Sequence, residues 1–178
     1  MKQSQVAVAV TVAVGIAVVV GLGLVASLAR SGLQDSRNVA NEAIAIGALR
    51  AIIAAQSIYT TSCGNGYYSP SLTNLGVAPD GGTAFLSRDL SVADTTTKSG
   101  YVITMGSSSG ASEGTPPSCN GVPAGSVVAG YWATATPTKG AGSRAFGTNT
   151  SATIYEAEQK TPLRMTDNSA PAGAAERK

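Results

Sequence analysis

The apolar pattern of this chain begins at once. Residues 6–28 contain no charged side chain, only Val, Ala, Ile, Leu and Gly interrupted by Thr11 and Ser27. A helix of about 20 such residues crosses a bilayer, so residues 1–32 are expected to form a transmembrane segment. Lys2 precedes the run and Arg30 follows it, a flanking charge that orients the segment only weakly. The short N-terminal tail then stays in the cytoplasm and the polar body is translocated. Ala9, Ala13, Ala17 and Gly21 recur every four residues, and Gly23 and Ser27 repeat the spacing. Small residues so placed share one helix face and allow close helix packing, although an Ala/Val-rich run also yields this spacing by chance. A cleaved signal peptide is the alternative, with Ser27 and Ala29 fitting the small-residue rule for a cut after Ala29; the run, however, exceeds the usual signal core.

Beyond the run, Ser31 and Gly32 are expected to loosen the helix, with Asp35 or Ser36 capping a second stretch. Val39, Ala43, Ile46, Leu49 and Ile53 then follow at spacings of three or four, one apolar stripe, and Ile44, Ile52 and Tyr59 widen it to a second side. A helix apolar on two sides needs two partners: its own head, joined through Ile44, Leu49 and Ile53, and neighbouring subunits. A deeply buried core helix gives the same pattern. The stretch from Thr60 to Gly66, with Cys63 and two glycines, ends the helix.

A loop-rich region follows, in which Tyr67-Tyr68-Ser69-Pro70 leads into Leu72 and Leu75-Gly76, and Phe85 to Leu90 are expected to form one short turn of helix. Strand signals lie at 100–105, 127–136, 144–147 and 152–156, separated by Gly/Ser/Pro stretches. Short links suggest an antiparallel meander packed on the helix. The expected class is therefore α+β: a long N-terminal helix, apolar then amphipathic, on a small antiparallel sheet. The head spans 33–157, and 158–178, rich in Pro, Ala and charge, reads as a flexible tail.

Composition sharpens this picture. Twelve basic residues against ten acidic ones leave a net charge of +2, too little for nucleic-acid binding by charge alone. The chain has no His, which excludes His-dependent hydrolases and His-ligated metal sites. Cys63 and Cys119 both follow the apolar segment; if that segment directs export they meet an oxidising compartment and pair. The alternative is two unpaired buried thiols.

The order of motifs then points to a family. Ala40-Asn41-Glu42-Ala43, Gly47-Ala48-Leu49-Arg50 and Ala54-Ala55-Gln56-Ser57-Ile58-Tyr59 resemble the helix of bacterial type IV pilin-like proteins (pilins and pseudopilins). Gly66-Tyr67, Pro70-Ser71-Leu72 and Leu75-Gly76 are similar to the loop between helix and sheet in that family. Thr97-Lys98-Ser99-Gly100-Tyr101 is similar to its first strand entry. The run of Tyr131 through Ala135, then Pro137, Gly142, Arg144, Phe146 and Ile154-Tyr155 is similar to its last strands. The resemblance, over roughly residues 37–155, implies a long helix, a meandering sheet, assembly into a helical filament through the helix, and no catalysis. The N-terminus departs from the family: no Gly precedes a matching cleavage block, and no acidic residue precedes Asp35. With Met1 as first residue, Gln5 would stand where pilins carry Glu, among the polar Lys2, Gln3 and Ser4. The cysteine pair also spans loop and sheet rather than closing a C-terminal region.

The expected function is a filament subunit of the cell surface, held in the bacterial inner membrane before assembly machinery extracts it. Ala9, Ala13, Ala17 and Gly21 would pack helix on helix, and a Cys63–Cys119 bridge would hold the long loop against the sheet. The rivals are a membrane-tethered pilin-like accessory that never polymerises, and a cleaved, secreted domain that binds a surface or glycan through its loops. No catalytic, cofactor-binding or metal-ligating residue is predicted. Gly106-Ser107-Ser108-Ser109-Gly110 matches the nucleophile-elbow pattern, but the elbow needs a His partner, so a Ser/Gly loop is the reading. Glu156 and Glu158 form the nearest acidic pair and do not suggest catalysis. Asn149-Thr150-Ser151 is a sequon in an expected loop, and Trp132 and Tyr131 read as core and surface neighbours in a strand.

Overall fold

A computed structural model describes the backbone of residues 2–177 and the side chains of residues 32–177. The chain divides into two compact units, residues 1–37 and 38–178. Its first element is one helix, α1 (Lys2–Ser62). The expected loosening at Ser31-Gly32 does not occur: both residues are helical. Ser36 is not a cap either, since its hydroxyl donates to the Gly32 carbonyl at 2.9 Å, the i−4 bond that lets a serine remain inside a helix. Among the described residues, Gly32–Ser62 is long and apolar enough to cross a membrane by length and composition, yet one face of it forms the core of the head.

That face consists of Ala45, Ile46, Ala48, Leu49, Ile52, Ala55 and Tyr59, all buried. The helix ends where the backbone turns left-handed, at Asn65 (φ 53°) and Gly66 (φ 88°). Gly64 is required there by space: a Cβ would lie 2.1 Å from the Tyr67 carbonyl oxygen and 2.6 Å from the Tyr59 ring. Two short helices follow, α2 (Leu72–Leu75), capped by Ser71, and α3 (Arg88–Ser91).

The sheet is a six-stranded antiparallel meander, β1 (Thr95–Lys98), β2 (Tyr101–Gly106), β3 (Trp132–Pro137), β4 (Ala145–Asn149), β5 (Ile154–Ala157) and β6 (Ala175–Arg177), with strands adjacent in sequence order. Ser99 and Gly100, both at positive φ, make the two-residue β1–β2 turn. On β2 the alternation is clean: Tyr101, Ile103 and Met105 are buried. Their partners Pro137, Ala135 and Ala133 on β3 share that face, followed by Phe146 on β4. This face packs on α1.

Two expectations fail in the sheet. The strand expected at 127–136 is split, because Gly130 passes the Asp167 side chain so closely that a Cβ would sit 2.7 Å from Asp167 Cβ. Val128 forms only isolated bridges to Tyr68 and Ala111. The segment 158–178, read as a flexible tail, instead crosses the outer sheet face as a strap and ends in β6. Leu163, Met165 and Asp167 point inward at every second position, the extended-chain period. Leu163 and Met165 pack with Ala145 and Tyr155. Gly147 makes room for them, since its Cβ would meet Met165 Sδ at 2.7 Å.

Candidate functional site

Three fastenings tie the sheet and loops to α1. Glu42, a lone carboxylate in an apolar stretch, is buried and accepts Nε of Arg144 at 3.0 Å and the Ser143 N–H at 3.3 Å. Arg144 also reaches Glu156 on β5 at 3.4 Å, and Glu156 accepts Arg177 of β6 at 2.6 Å. The chain of charges thus runs from helix to C-terminal strand, with both guanidinium groups about 6 Å from the Phe146 ring centre. Gly142 is needed beside it, because a Cβ would lie 2.2 Å from the Tyr101 hydroxyl. That hydroxyl donates to the Arg144 carbonyl at 3.0 Å, and burial, with the Glu42 charge adding to it, pushes its titration up to about 12.

The second fastening is Gln56, fully buried. Its Nε2 donates to Ser69 O, and Ser69 N–H donates back to its Oε1, both at 2.9 Å. The third is covalent: Cys63 and Cys119 are disulfide-bonded, with Cα atoms 4.8 Å apart. Next to it Asn120 donates to the carbonyls of Asn74 and Val77, so the bridged loop is also stitched to α2.

The opposite face of the helix has no such partners. Ala40, Ile44, Gly47, Ala51, Ala54 and Ile58 follow at alternating spacings of four and three, and all but the half-buried Ala51 are exposed. Ile44 is 38% and Ile58 56% exposed. This corrects the assignment of Ile44 to the head. At 100° per residue Ile44 and Leu49 lie about 140° apart around the helix, and of the two only Leu49 falls within the arc that the head covers. Leu49 is fully buried, Ile53 packs partly against the core, and Val39 and Ala43 are exposed. Gly47 is notable because an added Cβ would meet nothing within 4 Å. An exposed mid-helix Gly costs about 1 kcal/mol relative to Ala, and no contact within the head requires it. Ala9, Ala13, Ala17 and Gly21 lie outside the residues whose side chains are described.

The remaining motifs have internal roles. The Gly106–Gly110 loop is a cradle for Asp167: the Ser108 and Ser109 N–H groups donate to its carboxylate at 2.8 and 2.9 Å, and the Ser107 and Ser109 hydroxyls add further bonds. Asn149 of the sequon is fully buried. Its Nδ2 donates to Thr166 O and Ser169 O, and its Oδ1 accepts from Ser151. Its amide is therefore committed to holding the strap. Tyr131 is buried and Trp132 half-buried. Among the described residues no group of three or more His, Cys, Asp or Glu is placed to hold a metal ion.

Asp167 makes the strap acid-sensitive. Burial alone would raise its pKa, but the serine hydroxyls and two N–H groups outweigh this and hold it below the usual aspartate range. A carboxylate with a lowered folded pKa contributes stability above its unfolded value of about 4, lost as pH falls through the folded value. Acid is therefore expected to loosen the strap as pH falls through that lowered value, read as a change in the fluorescence of Trp132, the chain's single tryptophan. In Asp167→Asn that acid step should vanish; a step that persists there would assign it elsewhere.

No known protein family matches this chain, and neither a curated protein nor a solved structure matches it.

Proposed function

We propose that this chain is a structural subunit of a type IV pilus-like extracellular filament, polymerising through its N-terminal helix and performing no catalysis. The observation that carries the reading is the second apolar stripe of α1, Ala40, Ile44, Gly47, Ala54 and Ile58, exposed while the core is already filled by the head; Ala51 within it touches that core. Contiguous exposed apolar stripes mark contact surfaces. The unexplained Gly47 supports close approach by another helix, for which small residues leave room. The apolar run before it, with Ala9, Ala13, Ala17 and Gly21 on one face by spacing, would continue that contact in the filament core. In this reading the bacterial inner membrane stores the subunit until the assembly machinery extracts it to the cell surface, and the partners are other copies of the chain.

Gly47 separates fold from assembly. Gly47→Ala is expected to stabilise the isolated subunit by about 1 kcal/mol, measured by urea denaturation. Gly47→Leu should leave the subunit folded but abolish filaments in electron micrographs of sheared surface material. Normal filaments from Gly47→Leu and from the Ala13→Leu, Ala17→Leu double variant would refute packing through this helix.

One observation favours a second reading, a tethered accessory that does not polymerise: no acidic residue precedes Asp35, so an assembling subunit would lack the N-terminal carboxylate of pilins. Subunit found only in membranes, at full mass and never in sheared material, would select it. A mass corresponding to a start after Ala29 would select a secreted domain.

A further inference from the structure

The strap covers the outer face of β4 and β5 and leaves Val102, Thr104, Trp132 and Thr136, on the outer face of β2 and β3, half-buried, with Thr134 buried among them. Between them runs a groove of about 590 Å³, floored by Val102, Thr134 and Thr136, walled by Pro162, Leu163 and Met165 of the strap, and bounded by Trp132 and Arg164, a volume in the range of small-ligand sites that are mostly apolar with a few placed polar groups. The indole lies flat over Gly106, where a Cβ would be 2.7, 3.2 and 3.2 Å from three of its ring atoms, so glycine fixes the ring as a platform beside the groove. Thr134 is only 3% exposed, yet its hydroxyl makes no hydrogen bond among the described residues. Among the described residues the Thr134 hydroxyl is not one of the side-chain polar atoms sealed from solvent without a partner, so it opens onto the groove that Thr134 lines. Arg164 is exposed, is the one charged residue of the lining, and has no ion-pair partner among the described residues.

These features select the occupant. A peptide strand cannot add here, because β2 and β3 are interior strands with both edges already paired, and strand addition needs a free edge. An apolar helix would bury the threonine hydroxyls and the guanidinium without partners, at a desolvation cost. A ligand that matches has an apolar face for the indole, hydroxyls for the threonines and a carboxylate for the guanidinium, which a bidentate pair would hold. We infer that the groove binds an acidic saccharide, its C–H face on Trp132, its hydroxyls on Thr134 and Thr136, and its carboxylate on Arg164.

The chain's single tryptophan reports on this site directly. Oligogalacturonate titrated into the full-length chain in detergent micelles should change Trp132 fluorescence saturably. Arg164→Gln should weaken the binding about tenfold with an unchanged thermal transition, and Thr136→Val should weaken it severalfold. A neutral gluco-oligosaccharide should bind about tenfold more weakly than the acidic one, and only the acidic ligand should lose affinity in salt. No saturable response to either sugar, equal binding of both, or indifference to Arg164→Gln would overturn the assignment. So would a response confined to a peptide of residues 38–62, which would make the groove an interface between copies.

Discussion

Glu42→Ala is expected to destabilise the folded chain by about 3 kcal/mol in urea denaturation. The substitution leaves Arg144, itself only partly exposed, facing the helix without its main counter-charge, and leaves the Ser143 N–H without its acceptor. Removing one partner of a buried pair costs about 3–5 kcal/mol because the survivor stays desolvated and unpaired. The lower end applies here, since Arg144 keeps Glu156 as a second partner. Glu42→Ala combined with Arg144→Ala should cost less than the sum of the single changes, as expected of a coupled pair. A loss below about 0.5 kcal/mol for Glu42→Ala would class the network with exposed surface pairs.

The second large effect is at Cys63 and Cys119. Replacing both with Ala, or reducing the bridge, is expected to cost about 4 kcal/mol, from the added freedom of a 56-residue separation in the unfolded chain. Because the bridge joins the end of α1 to the loop before β3, its loss should also free residues 106–131 to exchange their amide hydrogens faster than the sheet does. Equal protection of loop and sheet after reduction would mean that the Asn120 bonds to Asn74 and Val77 hold the loop unaided.

The helix and the meander were legible because their residues are periodic. Leu49, Ile52 and Tyr59 repeat at helical spacing, and Tyr101, Ile103 and Met105 alternate. The side of the helix each apolar residue takes was not legible, because the helix is apolar on two sides and only the sheet decides between them; hence Ile44 fell on the wrong face. β1 is all threonine and lysine and carries no apolar alternation, so only its resemblance to a strand entry marked it. The strap was missed for a related reason. Pro, Ala and charges dilute Leu163, Met165 and Asp167, whose period of two was nevertheless present in the sequence. Glu42 had a signal too, as the one acidic residue in the helix stretch that forms the core. Gln56 had a signal of the same kind, since it falls between Ile52 and Tyr59 on the buried stripe at spacings of four and three, but nothing in the sequence marked Ser69 as its partner.

Glu42 and Gln56 on α1 and Cys63 just past its end are spread over some 21 residues, about 30 Å at the helical rise of 1.5 Å per residue. A pull along the helix axis meets all three fastenings in parallel, as shear, rather than opening them one after another. Two of them are hydrogen-bonded and reversible; the last, at the helix end, is a covalent bond. Under axial load the head can therefore slip only by breaking Glu42 and Gln56 together, and even then the chain stays tied at Cys63 and can re-seat when the load is removed.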